Sequence, residues 1–285
     1  MVQKQNRKQQ MKKLLIRTAS GAGFAALTVA CLLVSKYLFA AYVLFIMAGM
    51  MLELFKMSIG DTYRFPQFLS ILTGVVLFAL VFAYEAFGMN ARYIAVSILC
   101  LIALMISSLF VKDKAHFDRF SFLFTGLLYI AAPLTMSNLV VFRNGHFSGL
   151  ILLCFFIIIW CSDVGAYVFG MALGQKHGRK LCPEISTKKS WICFWGGLFF
   201  AALSSVLLKW CGLWNLPVIH CIILGLVMGV TGVCGDLFES MWKRHYGLKD
   251  SGNVIPGHGG MLDRFDSTLF AMPVGAIYMA IFNLI

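Results

Sequence analysis

"SGLILLCFFIIIWCSDVGAYVFG", residues 148–170, carries a single charged side chain, Asp163. A helix needs about 20 mostly apolar residues to cross the hydrocarbon of a bilayer. In that medium every backbone N–H and C=O must pair within the segment, so a run of this length and polarity reads as a spanning helix. Comparable runs lie on both sides of it, at 18–35, 37–55, 67–87, 92–111, 120–142, 191–210, 217–236 and 267–285. The expected fold is an all-α polytopic membrane protein of about nine transmembrane helices. Composition agrees: of 285 residues 60% are hydrophobic and 13% charged.

Basic residues orient the bundle, because Lys and Arg concentrate in loops on the cytoplasmic side. With nine spans, 20 of the 24 Lys and Arg fall on the side of the N-terminal tail, and only Lys36, Arg92, Arg143 and Lys209 on the other. The N-terminus is therefore expected in the cytoplasm and the C-terminus outside. This sidedness accounts for most of the net charge of +12, so no nucleic-acid binding is inferred from it. The basic tail followed by 18–35 is expected to act as an uncleaved signal anchor, since apolar sequence continues at once into 37–55. The nine cysteines form no C-x-x-C pair and sit mostly in apolar runs, where cysteine packs as a small hydrophobe rather than as a zinc ligand or disulfide partner.

The chain divides in character. Residues 1–147 read as N-terminal membrane helices with short loops, and 148–285 as membrane helices with the chemistry-bearing cytoplasmic loops, together one integrated domain. Segment 148–170 runs inward, which puts Asp163 in its inner half. Segment 217–236 runs the same way and ends at Asp236, while 267–285 starts just after Asp263 and Asp266. Four carboxylates from three segments thus meet the same interface, at the depth of a phospholipid headgroup. A solvated helix end would explain Asp236 alone, but not this convergence. A carboxylate at the centre of a membrane helix costs about 2.5–3.5 kcal/mol, and less at the interface.

Between the last two runs lies "SMWKRHYGLKDSGNVIPGHGGMLDRFDS", residues 240–267, which is rich in charge and glycine. Asp236, Glu239, Ser240 and Lys243 are spaced to share one helix face. Gly247, Gly252, Gly257, Gly259 and Gly260 allow backbone N–H groups to approach phosphate oxygens. The N-terminus of the following helix adds a positive dipole end. Lys243, Arg244, Lys249 and Arg264 supply cations. Acids and bases around such a loop suit a metal-bound polyphosphate, with carboxylates on Mg²⁺ and cations on the remaining oxygens. A second basic loop, 174–191, adds Ser186, Lys188 and Lys189 as a phosphate grip. His258 either acts on a proton or holds its turn by a hydrogen bond. No GxSxG, HExxH or Walker lysine is present.

Residues 240–266 resemble the signature of the phosphatidate cytidylyltransferase (CDP-diacylglycerol synthase) family: Ser240, Lys243-Arg244, Lys249-Asp250, Pro256-Gly257-His258-Gly259-Gly260 and Asp263-Arg264-Phe265-Asp266. The stretches 163–175 and 185–191 are also similar to the family. There are departures: Ile192-Cys193 stands where the family usually has Glu-Gly, and Thr187 where it usually has Pro. A role of that glutamate is therefore not carried over.

The resemblance implies condensation of CTP with phosphatidic acid to CDP-diacylglycerol and pyrophosphate. It implies catalytic roles for Asp236, Asp263, Lys249, Arg264, Lys243 and His258. CTP would be bound by Ser186, Lys188, Lys189, Arg244, Gly259 and Gly260. Asp236 and Asp263, with Asp163 and Asp266 beside them, would hold Mg²⁺, with room for a second metal ion. The expected setting is a bacterial inner membrane, with the site facing the cytoplasm and a homodimer as the assembly. Two rivals remain at this point: a CTP-dependent polyprenol kinase, which would release CDP, and an ion transporter, which would favour acids at mid-bilayer.

Overall fold

A computed structural model of the chain describes residues 20–284 apart from 112, 113, 115, 144, 174–177, 253 and 255–258, and for Lys188 the backbone alone. Helix α1 spans Ser20–Val34 and α2 Lys36–Ser58, with one residue between them. That residue, Ser35, is extended, and its hydroxyl accepts the Tyr37 N–H, so it ends one helix and caps the next. Helix α3 spans Arg64–Phe87 and α4 Val96–Ser107, the latter lengthened by 3₁₀ turns at Ala91–Ala95 and Ser108–Phe110. Helices α5 (Ser121–Gly126) and α6 (Ala132–Val141) form one rod, joined by a π turn at Leu127–Ala131. Four longer helices follow: α7 Leu150–Leu173, α8 Trp191–Trp210, α9 Val218–His245 and α10 Leu262–Ile281.

Among the described residues seven of these rods are long and apolar enough to cross a membrane. The protein is an all-α membrane protein by that measure. The two rods that separate this count from nine are α1, whose described part is Ser20–Val34, and α10, which opens on Asp263, Arg264 and Asp266. Boundaries shift in an instructive way. Helix α9 continues past 236 to His245, and α10 begins at Leu262 rather than 267. Hydropathy marks where apolar side chains stop, whereas the hydrogen-bond ladder runs on into polar sequence. Two small hairpins join the helices. Strands β1 (Phe142–Arg143) and β2 (His146–Phe147) form one; β3 (Lys180–Cys182) and β4 (Ser186–Ser190) form the other, within the basic loop that the sequence offers as a phosphate grip.

Lipid is about as apolar as leucine, so helices in a membrane associate through close packing rather than through transfer from water. The contact that matters most for the site is at Gly235. A Cβ there would run into the backbone carbonyl of Asp266, so α9 and α10 touch backbone to backbone. Ring contacts identify the two ends of the bundle. At one end Phe24 of α1 meets Phe265 of α10, with centroids 5.7 Å apart, and Phe122 of α5 meets Trp242 of α9 at 5.4 Å. At the other, Phe39 meets Phe147 at 5.8 Å and His220 Nδ1 lies 2.7 Å from the Tyr278 hydroxyl. The charged sequence of α9 and α10 belongs to the first end.

Candidate active site

Asp163 on α7, Asp236 on α9 and Asp266 on α10 come close enough for their charges to act on one another. Two clefts share Asp163. The smaller, about 50 Å³, is lined by Asp163, Lys189, Ser190, Cys193 and Asp236. The larger, about 500 Å³, opens between α1, α7 and α10. Its lining combines Asp163, Asp263, Arg264 and Asp266 with Phe24, Trp160 and Val164. A cavity lined by both charged and apolar side chains matches an amphiphile.

Lys189, on β4, forms an ion pair with Asp236, and Ser240 Oγ donates to Asp236 Oδ1 at 3.2 Å. The next residue, Ser190, caps α8: its Oγ accepts the Cys193 N–H at 3.4 Å and lies 3.2 Å from Cys193 Sγ. The hairpin thus ends where the helix begins, and this fixes Lys189 beside the cleft. Of the departing pair Ile192-Cys193, it is Cys193 that lines the cleft.

Lys243 forms a buried triad with Glu239 and with Asp263 Oδ1, the latter at 2.6 Å. The three residues are only 8%, 1% and 9% exposed, so water does little to screen them. Asp263 Oδ2 accepts Ser251 N–H at 2.9 Å, Ser251 Oγ–H at 3.0 Å and Gly260 N–H at 2.8 Å. Both oxygens of Asp263 are therefore engaged by the protein. An ion bound there would have to displace Lys243, which departs from the sequence expectation of a ready metal ligand. Gly259, at φ +85°, has Asp263 Oδ2 2.7 Å from where a Cβ would stand. The glycine loop wraps this carboxylate, and the N–H of Gly260 that the sequence offered to phosphate is spent on Asp263.

The other expected residues are dispersed. Arg244 is exposed, and its Nη1 donates to Leu248 O at 2.7 Å, closing the turn after α9. Lys249 is exposed as well. Ser186 opens β4 at the far end from Lys189. Lys188 lies on β4, its side chain outside the described residues, and His258 is outside them altogether. One residue carries more than the sequence reading assigned it. Glu53 of α2 accepts Ser251 Oγ–H, Met261 N–H and Leu262 N–H. Its signal was available: it is the only charged residue between Lys36 and Lys56.

Mg²⁺ prefers oxygen donors and is usually held by one or two carboxylates, with substrate phosphates and water completing the shell. Asp163, Asp236 and Asp266 fit that chemistry. Five carboxylates, those of Asp163, Asp236, Glu239, Asp263 and Asp266, gather here with Lys189, Lys243 and Arg264. The formal balance has an excess of negative charge, which a divalent cation would offset. Glu239 Oε1 is buried with no hydrogen-bond partner among the described residues. No three acidic, His or Cys side chains among those residues close on one point, so phosphate and water would supply most of the shell.

Comparison with known proteins gives a consistent answer. The profile of the cytidylyltransferase family matches residues 15–282. The chain is similar to the phosphatidate cytidylyltransferase of Bacillus subtilis (strain 168), at 37% identity over 201 residues, which cover 70% of this chain and 72% of that one. It is also similar to the proteins of the same name from Staphylococcus aureus (strain COL), at 39% identity, and Staphylococcus haemolyticus (strain JCSC1435), at 37%. Those two matches cover 55% of this chain and 60% of the staphylococcal proteins.

Proposed function

The chain belongs to the cytidylyltransferase family, and on that premise we propose that it condenses CTP with phosphatidic acid, giving CDP-diacylglycerol and pyrophosphate. The observation that carries the reading is the larger cleft, whose lining joins Arg264, Asp163, Asp263 and Asp266 with Phe24, Trp160 and Val164. Such a cleft admits a lipid by its chains and receives its phosphate at the charged side chains.

A phosphomonoester has a second pKa near 6 and is largely dianionic at neutral pH. It needs no Ser-His-Asp device to become a nucleophile. One of its oxygens attacks the α-phosphorus of CTP; the bond from that phosphorus to the oxygen leading to the β-phosphorus breaks, and pyrophosphate departs with the electron pair. The difficulty is bringing two polyanions together, so catalysis rests on positioning and charge. Arg264 takes the lipid phosphate. Lys189, exchanging Asp236 for substrate, takes phosphates of the nucleotide, with Lys188, Ser186, Arg244 and Lys249 at the outer rim. Asp236, Asp163 and Asp266 would hold Mg²⁺, which when bound neutralises the triphosphate and the leaving group. Lys243 and Asp263 hold the loop together.

The basic residues support nine spans in a bacterial inner membrane, with the N-terminus and the site in the cytoplasm and the C-terminus outside. The deciding experiment measures products from CTP with and without phosphatidic acid. Lipid-dependent pyrophosphate is expected; CDP in its place would make the protein a lipid kinase.

A further inference from the structure

Helix α10 starts without a cap of its own: Met261, its N-cap residue, makes no side-chain hydrogen bond. A helix start leaves N–H groups that need acceptors. Here they come from α2. Glu53 Oε1 accepts Met261 N–H at 2.8 Å, and Oε2 accepts Leu262 N–H at 2.8 Å and Ser251 Oγ–H at 3.0 Å. Ser251 Oγ lies equally 3.0 Å from Asp263 Oδ2, so a single hydroxyl proton bridges two carboxylates. The loop has no slack around this arrangement. A Cβ on Gly252 would come within 2.6 Å of Glu53 Oε1, and one on Gly260 would collide with Ser251 and Glu53.

Glu53 is 7% exposed, and no basic side chain among the described residues pairs with it. Its charge is met by backbone dipoles and the positive end of α10. Packing α2 against α10 would be served better by an apolar residue, since an ionised group in an apolar run costs free energy. What Glu53 adds is direction. Arg264 and Asp266 project from the first turns of the helix it holds.

We infer that Glu53 is a positioning residue for the transfer reaction. It fixes the start of α10 and, through Ser251, the Asp263–Lys243 pair, so that Arg264 and Asp266 face the cleft. The inference rests on the cytidylyltransferase reading of that cleft.

The test compares wild type, Glu53→Gln, Ser251→Ala and the surface control Asp61→Asn, each as full-length protein in detergent with CTP and phosphatidic acid. Glutamine keeps the size but turns an NH₂ group towards backbone donors. The kcat per folded protein of Glu53→Gln should fall by about ten- to a hundredfold with KM nearly unchanged, as expected of a small misplacement at a reacting centre. Deuterium exchange across 259–266 should quicken, Ser251→Ala should lose activity to a lesser degree, and Asp61→Asn should match wild type. Wild-type kcat per folded protein in Glu53→Gln overturns the inference, even if the yield of folded protein falls. If Glu53→Gln does not fold, unchanged kcat in Ser251→Ala overturns it. A wild type that releases no pyrophosphate removes the functional reading itself, whereas an active wild type with an equally active Glu53→Gln removes only the role of Glu53.

Discussion

The ammonium group of Lys189 sits on the carboxylate of Asp236, joining the β3–β4 hairpin to α9 at the mouth of the smaller cleft. The two side chains are 24% and 30% exposed, so the pair is neither sealed nor fully solvated and can be exchanged for substrate. Asp236→Asn keeps the shape and loses the charge, and turnover should fall by roughly 10²–10³-fold, the loss typical of removing one group that acts on transition-state charge. Lys189→Met should instead raise the KM for CTP. Activity of Asp236→Asn near the wild-type level throughout a Mg²⁺ titration would take Asp236 out of the metal site.

Removing one partner from a buried ion cluster leaves charge uncompensated and costs about 3–5 kcal/mol. Lys243→Met leaves Glu239 and Asp263 facing each other without a cation, so it should be the most destabilising single change in the triad. Adding Glu239→Gln should restore part of the loss, because one of the two carboxylates is then neutral. Folded protein remaining after heating in detergent measures both. Lys243→Met surviving as well as wild type would mean that the triad does not hold the loop.

Ile192 is the second residue of α8 and is not among the residues lining the cleft, while Cys193 is. Ile192→Glu should therefore leave the affinities for Mg²⁺ and CTP unchanged. Titrations of the variant check this. A clear gain in either affinity would put position 192 within reach of the substrate after all.

Chelation of divalent cations should stop pyrophosphate release, and added Mg²⁺ should restore it. Asp163→Asn and Asp266→Asn should each need more Mg²⁺ for half-maximal rate. Unchanged activity in excess chelator would contradict a metal held by these carboxylates.

For topology, a reporter fused after Ile285 should report from outside the cytoplasm and one inserted within 112–119 from inside. Cytoplasmic signals at both positions would refute nine spans.

The sequence by itself determined the solvent and the neighbourhood. Apolar runs near bilayer length dictate helices, because lipid offers the backbone no partners. Acids, bases and glycines gathered between the last two apolar runs announce where chemistry is done, and the 240–266 stretch resembles one family closely enough to name a reaction. These signals are local, legible within twenty or thirty residues. Tertiary structure decided how tightly each carboxylate is held. Asp263 looked like a metal ligand in sequence, yet it is engaged by Lys243, Ser251 and Gly260. Asp236 also lines a cleft, but its ion pair with Lys189 is more exposed than that of Lys243 with Asp263. Glu53 lay in an apolar run with no visible partner until α2 met the start of α10. Such pairings depend on how each helix is rotated and how near its neighbour comes. Close contacts between distant segments set both, as where Gly235 admits the backbone of Asp266, and hydropathy along one helix carries no information about the face of another.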